Sequence, residues 1–594
     1  MKSKIQRYEG KRDFRSEKRR LGFWLVVFSL FSLVVFARLW SIQITHGAEY
    51  REIALRQSAG KAPILAPRGA IYDRAGREVA VDVIRHSLCV YPMTQKEAEI
   101  TEKYLDRLYK RRNGYSRKAH KIQPKRFRWI ERGIDDQLAL RIKSESPKGV
   151  FVREERGRDF PFGLVGKQIL GYTDIDNRGI SGIESRYDDL LRGVDGVADI
   201  QRDGLSKVYR VEERPLLQPS PGSSLILTID WEFQEIVEEE LVKAVNKHNA
   251  LGGCAAFVDV YTGEILAAAH FDCDEKFPER PTKLKAITDC FEPGSIYKFV
   301  MAAAILDERP SLADTSYYCE EGRWLCGTRY LHDDKKHGDL TLCEIIEFSS
   351  NIGTAKLAIE LGAESLVRSS QRFGFGQRTR VDFPGEQSGV LHTDMVWSDY
   401  NIAALSIGHS VSVTPLQMCM AMAAIANGGE LYQPRLTRGS ISSKGIASES
   451  KKPKKIGRVM KKQSSEILRS YLRGVVTHGT ATKVNSNTVA IAGKTGTAEI
   501  PRTDGRGYLK NKFVASFAGY FPADSRLCNP FRVGVLFGSP TQGALTPFAT
   551  LGFVVKLLRS ERLVIHFVCT FFFFPYRLCA LAALRENSSR KDCW

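Results

Sequence analysis

A chain of 594 residues has room for three or four domains at about 100 to 200 residues each. Its 43% hydrophobic and 26% charged residues, with 49 Gly and 23 Pro, exclude a mainly disordered, collagen-like or many-span membrane protein. Lys and Arg number 88 against 68 Asp and Glu, and the net charge of +20 favours an anionic partner without choosing among nucleic acid, lipid headgroups and acidic polymers.

The charge is concentrated at the start. Residues 1–20 hold nine basic side chains (Lys2, Lys4, Arg7, Lys11, Arg12, Arg15, Lys18, Arg19 and Arg20), and a charge-free run of 17 residues, Leu21 to Ala37, follows. That length is at the short end for one membrane-spanning helix. Arg38 and Trp40 extend it as a snorkelling cation and an interfacial aromatic, which predicts an anchor over residues 21–40. The run ends Val35-Phe36-Ala37-Arg38, not in the small residues of a cleavage site, so the anchor reads as uncleaved. A basic flank before the span puts the N-terminus in the cytoplasm and the rest of the chain outside, where nucleic acid is not an expected partner.

Residues 41–215 read as an irregular α+β region, with turns at Pro67-Arg68-Gly69, Arg74-Ala75-Gly76 and Asn177-Arg178-Gly179 and a basic helical stretch around Lys103 to Lys125. A second large domain is expected over 216–537. It opens with a strand at Ser223 to Asp230 and an amphipathic helix at Trp231 to His248, whose Phe233, Ile236, Val237, Leu241, Ala244 and Val245 recur at helical spacing. A hairpin follows, Ala255 to Val260 and Glu264 to His270, joined by Tyr261-Thr262-Gly263. Arg438 to Lys462, rich in Ser, Gly and Lys, reads as a solvated insertion loop.

Three short motifs carry the chemistry. Ser295-Ile296-Tyr297-Lys298 is an S-x-x-K after the turn Phe291-Glu292-Pro293-Gly294, and one helical turn brings an amine within reach of a hydroxyl. Alone it is weak, because S-x-x-K also occurs at Ser58, Ser448 and Ser588. Downstream of Ser295, however, come the one S-x-N of the chain, Ser349-Ser350-Asn351, and its one K-T-G, Lys494-Thr495-Gly496, in the order that serine β-lactamases and penicillin-binding proteins use.

On these motifs the sequence resembles the class B penicillin-binding proteins, most of all the division-type peptidoglycan transpeptidases. The resemblance runs from the anchor to about Phe521. It includes Arg68-Gly69-Ala70-Ile71-Tyr72-Asp73-Arg74 and Gly179-Ile180-Ser181-Gly182-Ile183-Glu184, similar to non-catalytic signatures of the family's pedestal, and Leu227-Thr228-Ile229-Asp230, Val413-Thr414-Pro415-Leu416-Gln417 and Ile425-Ala426-Asn427-Gly428-Gly429 in its catalytic part. Such a resemblance implies an α+β protein: an anchor, a pedestal domain at 41–215, and a transpeptidase domain in which a five-stranded antiparallel sheet lies between helices. It implies a single-pass protein of a bacterial cytoplasmic membrane with its catalytic domain outside.

The implied chemistry fits the residue types. A serine hydroxyl needs a base, and Lys298 can serve only when neutral, which burial and a second cation at Lys494 favour. The resemblance makes Ser295 the nucleophile, Ser349 the relay to the leaving amine, and Asn351 the holder of a substrate amide. Lys494, Thr495, Gly496 and Thr497 would receive the terminal carboxylate of a D-alanyl-D-alanine stem, and the N–H groups of Ser295 and Thr497 would form the oxyanion hole. Neither metal nor cofactor is needed. The implied partners are peptidoglycan stem peptides, β-lactams, the membrane, a polytopic glycosyltransferase and other division proteins. No E-x-x-x-N segment follows Asn351, which argues against a class A β-lactamase. A D,D-carboxypeptidase stays open, because water can replace the acceptor amine.

A scaffold with impaired catalysis also stays open, because of the C-terminus. The family continues past Ala515 to Phe521 with two further strands, and here only Arg532 to Phe537 reads as one. Residues 538–594 read as a divergent tail of the kind a shifted reading frame produces, with an apolar stretch from Leu551 to Val564 and Phe571-Phe572-Phe573-Phe574-Pro575. His566 and Pro575 interrupt it as a second span. Elsewhere, Cys319 and Cys326 could form a disulfide or stay as thiols. His332, His337 and His409 lack ligand spacing, and Arg68, Asp73, Arg74 and Glu184 are expected in interdomain ion pairs.

Overall fold

The computed structural model describes residues 14–113, 121–202, 208–211, 216–273, 283–487, 489–502, 507–523 and 567–575. The basic residues before position 14, the candidate strand Arg532–Phe537 and the stretch Leu551–Val564 lie outside the described residues. The chain divides into two compact units, Met1–Ala66 with Val194–Ser220, and Pro67–Gly193 with Pro221–Trp594.

In the first unit, helix α1 (Phe14–Trp40) runs into one π turn, Ser41–Thr45. The helical stretch Lys18–Thr45, 28 residues across helix and π turn, contains an 18-residue window with a mean hydropathy of 2.2, none of it buried in protein. Such a helix finds its apolar environment in lipid. The same unit holds a three-stranded antiparallel sheet of Ala59–Ile64, Gly196–Arg202 and Val208–Val211.

In the second unit, a sheet of short and long strands forms around Glu78–Val90, flanked by Arg128–Ile134 and Val150–Asp159. Its other end continues through Ile71–Tyr72 and Ser224–Leu227 to Thr437–Ile441. This last strand corrects the expected insertion loop at 438–462. Thr437–Ile441 pairs with Ser224–Leu227, and Lys455–Arg458 pairs with Glu430–Tyr432, so both ends of that polar segment are strand while the stretch between them is an exposed loop. The basic helix lies at Gln95–Asn113.

The larger sheet has five antiparallel strands: β1 (Ala250–Asp259), β2 (Ile265–Asp272), β3 (Ala492–Pro501), β4 (Tyr508–Phe521) and β5 (Phe567–Pro575). Their order is β2-β1-β5-β4-β3. The segment expected to be a divergent tail therefore supplies the central strand: Phe571 of β5 stands between Phe517 of β4 and Ala255 of β1. The five strands are present, with the last one reached through a long connection.

Helix α2 (Trp231–Lys247), capped by Asp230, packs on β1 and β2. Its Gln234 amide donates to the Ala268 carbonyl and accepts from the Ala268 N–H, both at 2.8 Å, which covers part of the outer edge of β2. A covered edge cannot pair with another chain. Helix α3 (Lys298–Glu308) is buried along ten of its residues, Lys298 to Asp307. Around it stand α4 (Leu342–Phe348), α5 (Asn351–Leu361), α6 (Pro415–Ala426) and α7 (Lys462–Thr477), with α6 packed on β1, β4 and β5 and α7 on β3. Helix α6 is buried on every face, which accounts for its apolar run from Met418 to Ala426.

Candidate active site

Three elements converge at the free edge of β3. Ser295 sits in a 3-10 turn, Gly294–Tyr297, that leads without a break into α3. Gly294 has φ of +58°, a left-handed conformation that glycine adopts without penalty, and a Cβ there would lie 3.1 Å from the Thr497 carbonyl oxygen. From the opposite side, a Cβ on Gly496 would lie 3.0 Å from the Pro293 carbonyl and 2.9 Å from Ile296 Cγ2. The glycine of K-T-G thus lets the strand lie directly against the serine turn. Thr497 is exposed and Thr495 half-buried, as alternation along an edge strand requires.

Ser349 closes α4 with φ of +63° and ψ of +36°, unusual for a residue with a Cβ, and Ser350 caps α5 by accepting from the Gly353 N–H at 2.9 Å. Strain of this kind persists where surroundings hold it. Here the holder is Asp333. Its carboxylate accepts from Ser350 Oγ at 2.6 Å and from the N–H groups of Asn351 and Ile352, at the N-terminus of α5 where a negative charge is favoured.

Lys298 links the motifs. Its side chain is 0% exposed, and its amine donates to the Ser349 carbonyl at 2.6 Å, Asn351 Oδ1 at 2.7 Å and Ser349 Oγ at 3.3 Å. Burial pushes its pKa down from the ordinary 10.5 to about 7, against the carboxylates of Asp333 and Asp334, which pull it up. Lys494 is also 0% exposed, and its amine donates to the Thr495 carbonyl at 3.2 Å. Burial first, and the charge of Lys298 second, hold Lys494 well below the ordinary lysine value. The two buried amines repel each other when both are charged, so each favours the neutral form of the other.

The structure therefore brings Lys298, Ser349 and Asn351 into direct contact and sets Gly496 and Thr497 against the turn of Ser295. Sequence reading missed Asp333 and also Thr480, whose Oγ1 is 2.9 Å from Thr495 Oγ1. No spacing rule marks either, since each acts on a motif far from it in the chain. Cys319 and Cys326 are buried free thiols, and Cys319 Sγ is 3.4 Å from Ser350 Oγ.

The six pedestal residues stand apart from this site. Arg68 is buried between Glu184, at 2.7 Å, and Asp188, at 2.6 Å, while Arg158 bonds the second Glu184 oxygen at 2.5 Å and the Gly69 carbonyl at 2.8 Å. Gly69 and Gly182 have no room for a side chain: a Cβ would come within 2.1 Å of the Ser223 carbonyl or 2.6 Å of the Ile169 carbonyl. Asp73 accepts from the N–H groups of Ala75 and Arg77, both at 2.8 Å, and closes their turn. Of the four charged residues, Arg74 alone reaches the β1–β2 hairpin, through Glu264 at 3.8 Å, which also receives Arg435 and Arg438.

A serine turn, a buried lysine and an S-x-N segment beside a K-T-G edge strand define the penicillin-recognising serine acyltransferases. The family model for the penicillin-binding protein transpeptidase domain matches residues 253–527, and that for the penicillin-binding protein dimerisation domain matches 63–227. The chain belongs to the class B penicillin-binding proteins. It is 30% identical over 528 residues to the stage V sporulation protein D of Bacillus subtilis, a match covering 85% of this chain and 80% of that one. It is likewise 30% identical over 499 residues to the peptidoglycan D,D-transpeptidase FtsI of Escherichia coli, covering 80% of each. Among solved structures, penicillin binding protein 3 of Mycobacterium tuberculosis in complex with ampicillin superposes with a TM-score of 0.61 at 24% identity, over 86% of this chain and 90% of that one.

Proposed function

We propose that the protein is a peptidoglycan D,D-transpeptidase that cross-links stem peptides through an acyl-enzyme on Ser295 and is covalently inhibited by penicillins. One observation carries this reading: a buried lysine amine, brought to neutrality near pH 7 by desolvation, bonded to Ser349 and Asn351 one helical turn from Ser295. The D,D-transpeptidase activity named for its relatives supports it.

In the reaction, neutral Lys298 takes the proton from Ser295 Oγ as the oxygen attacks the carbonyl of the penultimate D-alanine. The charge that develops on the carbonyl oxygen is met by the N–H groups of Ser295 and Thr497, fixed in advance by the contact of Gly294 with Thr497. Ser349 relays the lysine's proton to the leaving nitrogen, the C–N bond breaks, and D-alanine departs. An amine from a second stem then attacks the ester carbonyl, gives up a proton by the same route, and returns Ser295 to the hydroxyl form. The substrate's terminal carboxylate falls to Lys494 and Thr495, with Asn351 on the substrate amide. A carboxylate beside Lys494 restores the charge that burial opposes, so substrate binding and protonation of Lys494 support each other.

The full-length chain in detergent should take up fluorescent penicillin covalently, and Ser295→Ala should abolish the label while the protein stays folded. Label that persists in Ser295→Ala would sink the assignment. The nine basic residues before the apolar run at Leu21 support a cytoplasmic N-terminus and an extracytoplasmic catalytic region. Protease added outside sealed cells should then digest everything but an N-terminal stub. A septal role beside a polytopic glycosyltransferase follows from the division-type resemblance, and septal localisation of the tagged chain is its check.

A further inference from the structure

The turn that carries Ser295 is strapped to two other elements, and one strap is a side-chain cluster that the acyl-transfer mechanism does not use. On the backbone, Phe291 and Val413 exchange hydrogen bonds at 2.9 and 3.0 Å, and the Gly294 N–H donates to the Gly408 carbonyl at 3.1 Å. The approach is so close that a Cβ on Gly408 would lie 2.2 Å from the Gly294 oxygen. The side-chain strap starts at Glu292, three residues before the nucleophile. Its Oε2 accepts from Tyr508 Oη at 3.1 Å and lies 3.2 Å from His409 Nδ1, which donates when that nitrogen carries the proton. The imidazole and phenol rings meet edge to face at 6.0 Å. Tyr508 begins β4 opposite Pro501, at the far end of the hairpin whose other strand carries Lys494 to Thr497.

We propose that Glu292 is a positioning residue for acylation: held by His409 and Tyr508, its carboxylate sets the separation between the turn bearing Ser295 and the hairpin bearing Thr497. This inference rests on the transpeptidase reading. The oxyanion hole draws one N–H from each of these two elements, so its width is the quantity that the strap fixes. A shift of about 1 Å in such a site costs on the order of a hundredfold in rate. The cluster is poorly suited to stabilising the fold. The Glu292 and His409 side chains keep 15% and 29% of their surface and Tyr508 is 37% exposed, so water reaches the cluster, and a polar network that water reaches contributes little to global stability. Glu499 and Tyr400 also face Tyr508, and Tyr400 is in turn within 3.5 Å of Arg329, so the phenol is held on a polar rim.

The test compares wild-type full-length protein with Glu292→Ala, Tyr508→Phe and the double variant, resolving fluorescent-penicillin acylation into a non-covalent dissociation constant and an acylation rate constant, with Tm measured on each. Tyr508→Phe removes a single hydroxyl and keeps the ring, so its fold is not at stake. Each single variant should slow the acylation step by about tenfold, the worth of one hydrogen bond to a charged group. The dissociation constant should hold, and Tm should stay within about 2 °C. The double variant should be no slower than Glu292→Ala, because both act through one strap. Wild-type acylation rates in Glu292→Ala, an additive loss in the double variant, or a Tm falling in step with the rate would each overturn the proposal while leaving the transpeptidase reading intact. A wild-type chain that takes no label overturns that reading and this proposal with it.

Discussion

On the proposed mechanism, with Lys298 as base, the acylation rate is a readout of one buried amine. Its pKa is about 7, where an exposed lysine has 10.5, so its ammonium form is disfavoured by on the order of 5 kcal/mol. Half of the chains then hold a neutral base near pH 7, about a tenth do one pH unit lower, and nearly all do one unit higher. The second-order rate of penicillin acylation, followed by gel fluorescence across pH 5.5 to 9, should rise about tenfold per pH unit at the acid end and level off above about pH 8. Asp333 and Asp334 hold the amine charged, so Asp334→Asn should move the midpoint to lower pH. Asp334 is the better choice of the two, since Asp333 also fastens the N-terminus of α5. A profile that is flat over this range, or that falls as pH rises, refutes the assignment of Lys298 as base. Stability carries the same signature. Between about pH 7 and 10.5 the unfolded chain binds a proton at this lysine that the folded chain lacks, so burial of Lys298 makes the protein more stable as pH rises through that window.

Lys298→Arg keeps the charge but cannot lose it near neutral pH, so acylation should fall nearly as far as in Lys298→Ala; a rate near wild type by stopped-flow labelling would mean that charge alone suffices. Gly496→Ala should slow acylation at least tenfold and destabilise the fold by about 1 to 3 kcal/mol by forcing β3 away from Pro293 and Ile296, measured as labelling rate and denaturant midpoint.

The chemistry was legible because each motif keeps its partners within one helical turn or one strand. Ser295 and Lys298, Ser349 and Asn351, and Lys494 to Thr497 are local patterns, and local patterns survive in sequence. Asp333 and Thr480 act across folded space, on Ser350 and Thr495, and leave no periodic trace. His409 lacks ligand spacing in the sequence, yet its partners are a carboxylate 117 positions away and a phenol 99 positions away. The strands at Thr437–Ile441 and Lys455–Arg458 were hidden by polar composition and short length: the first lies on a sheet edge and is partly buried, the second is mostly exposed, and neither alternates apolar with polar residues over a long run. The opposite disguise concealed β5. Its sequence is nearly all apolar and lacks the alternation of a half-buried strand, and such a run ending at a proline resembles a tail or an abortive span as much as it does a strand.

That central strand also dictates when the protein can become an enzyme during its own synthesis. The β1–β2 hairpin leaves the ribosome early, and the β3–β4 hairpin follows much later, but the two share no direct pairing: β5 alone bridges them, with Phe567 opposite both Asp259 and Phe521. Until that strand emerges, each hairpin presents an unpaired edge, the form most prone to join a neighbouring chain. Pairings between residues so distant in sequence close slowly, since the loop entropy must be overcome before the contacts form. A nascent chain halted between Phe521 and Phe567 would carry all five motif residues from Ser295 to Lys494 without the sheet that holds β3 against the nucleophile turn. Competence to react with a substrate thus arrives in one step, once Phe567–Pro575 has emerged.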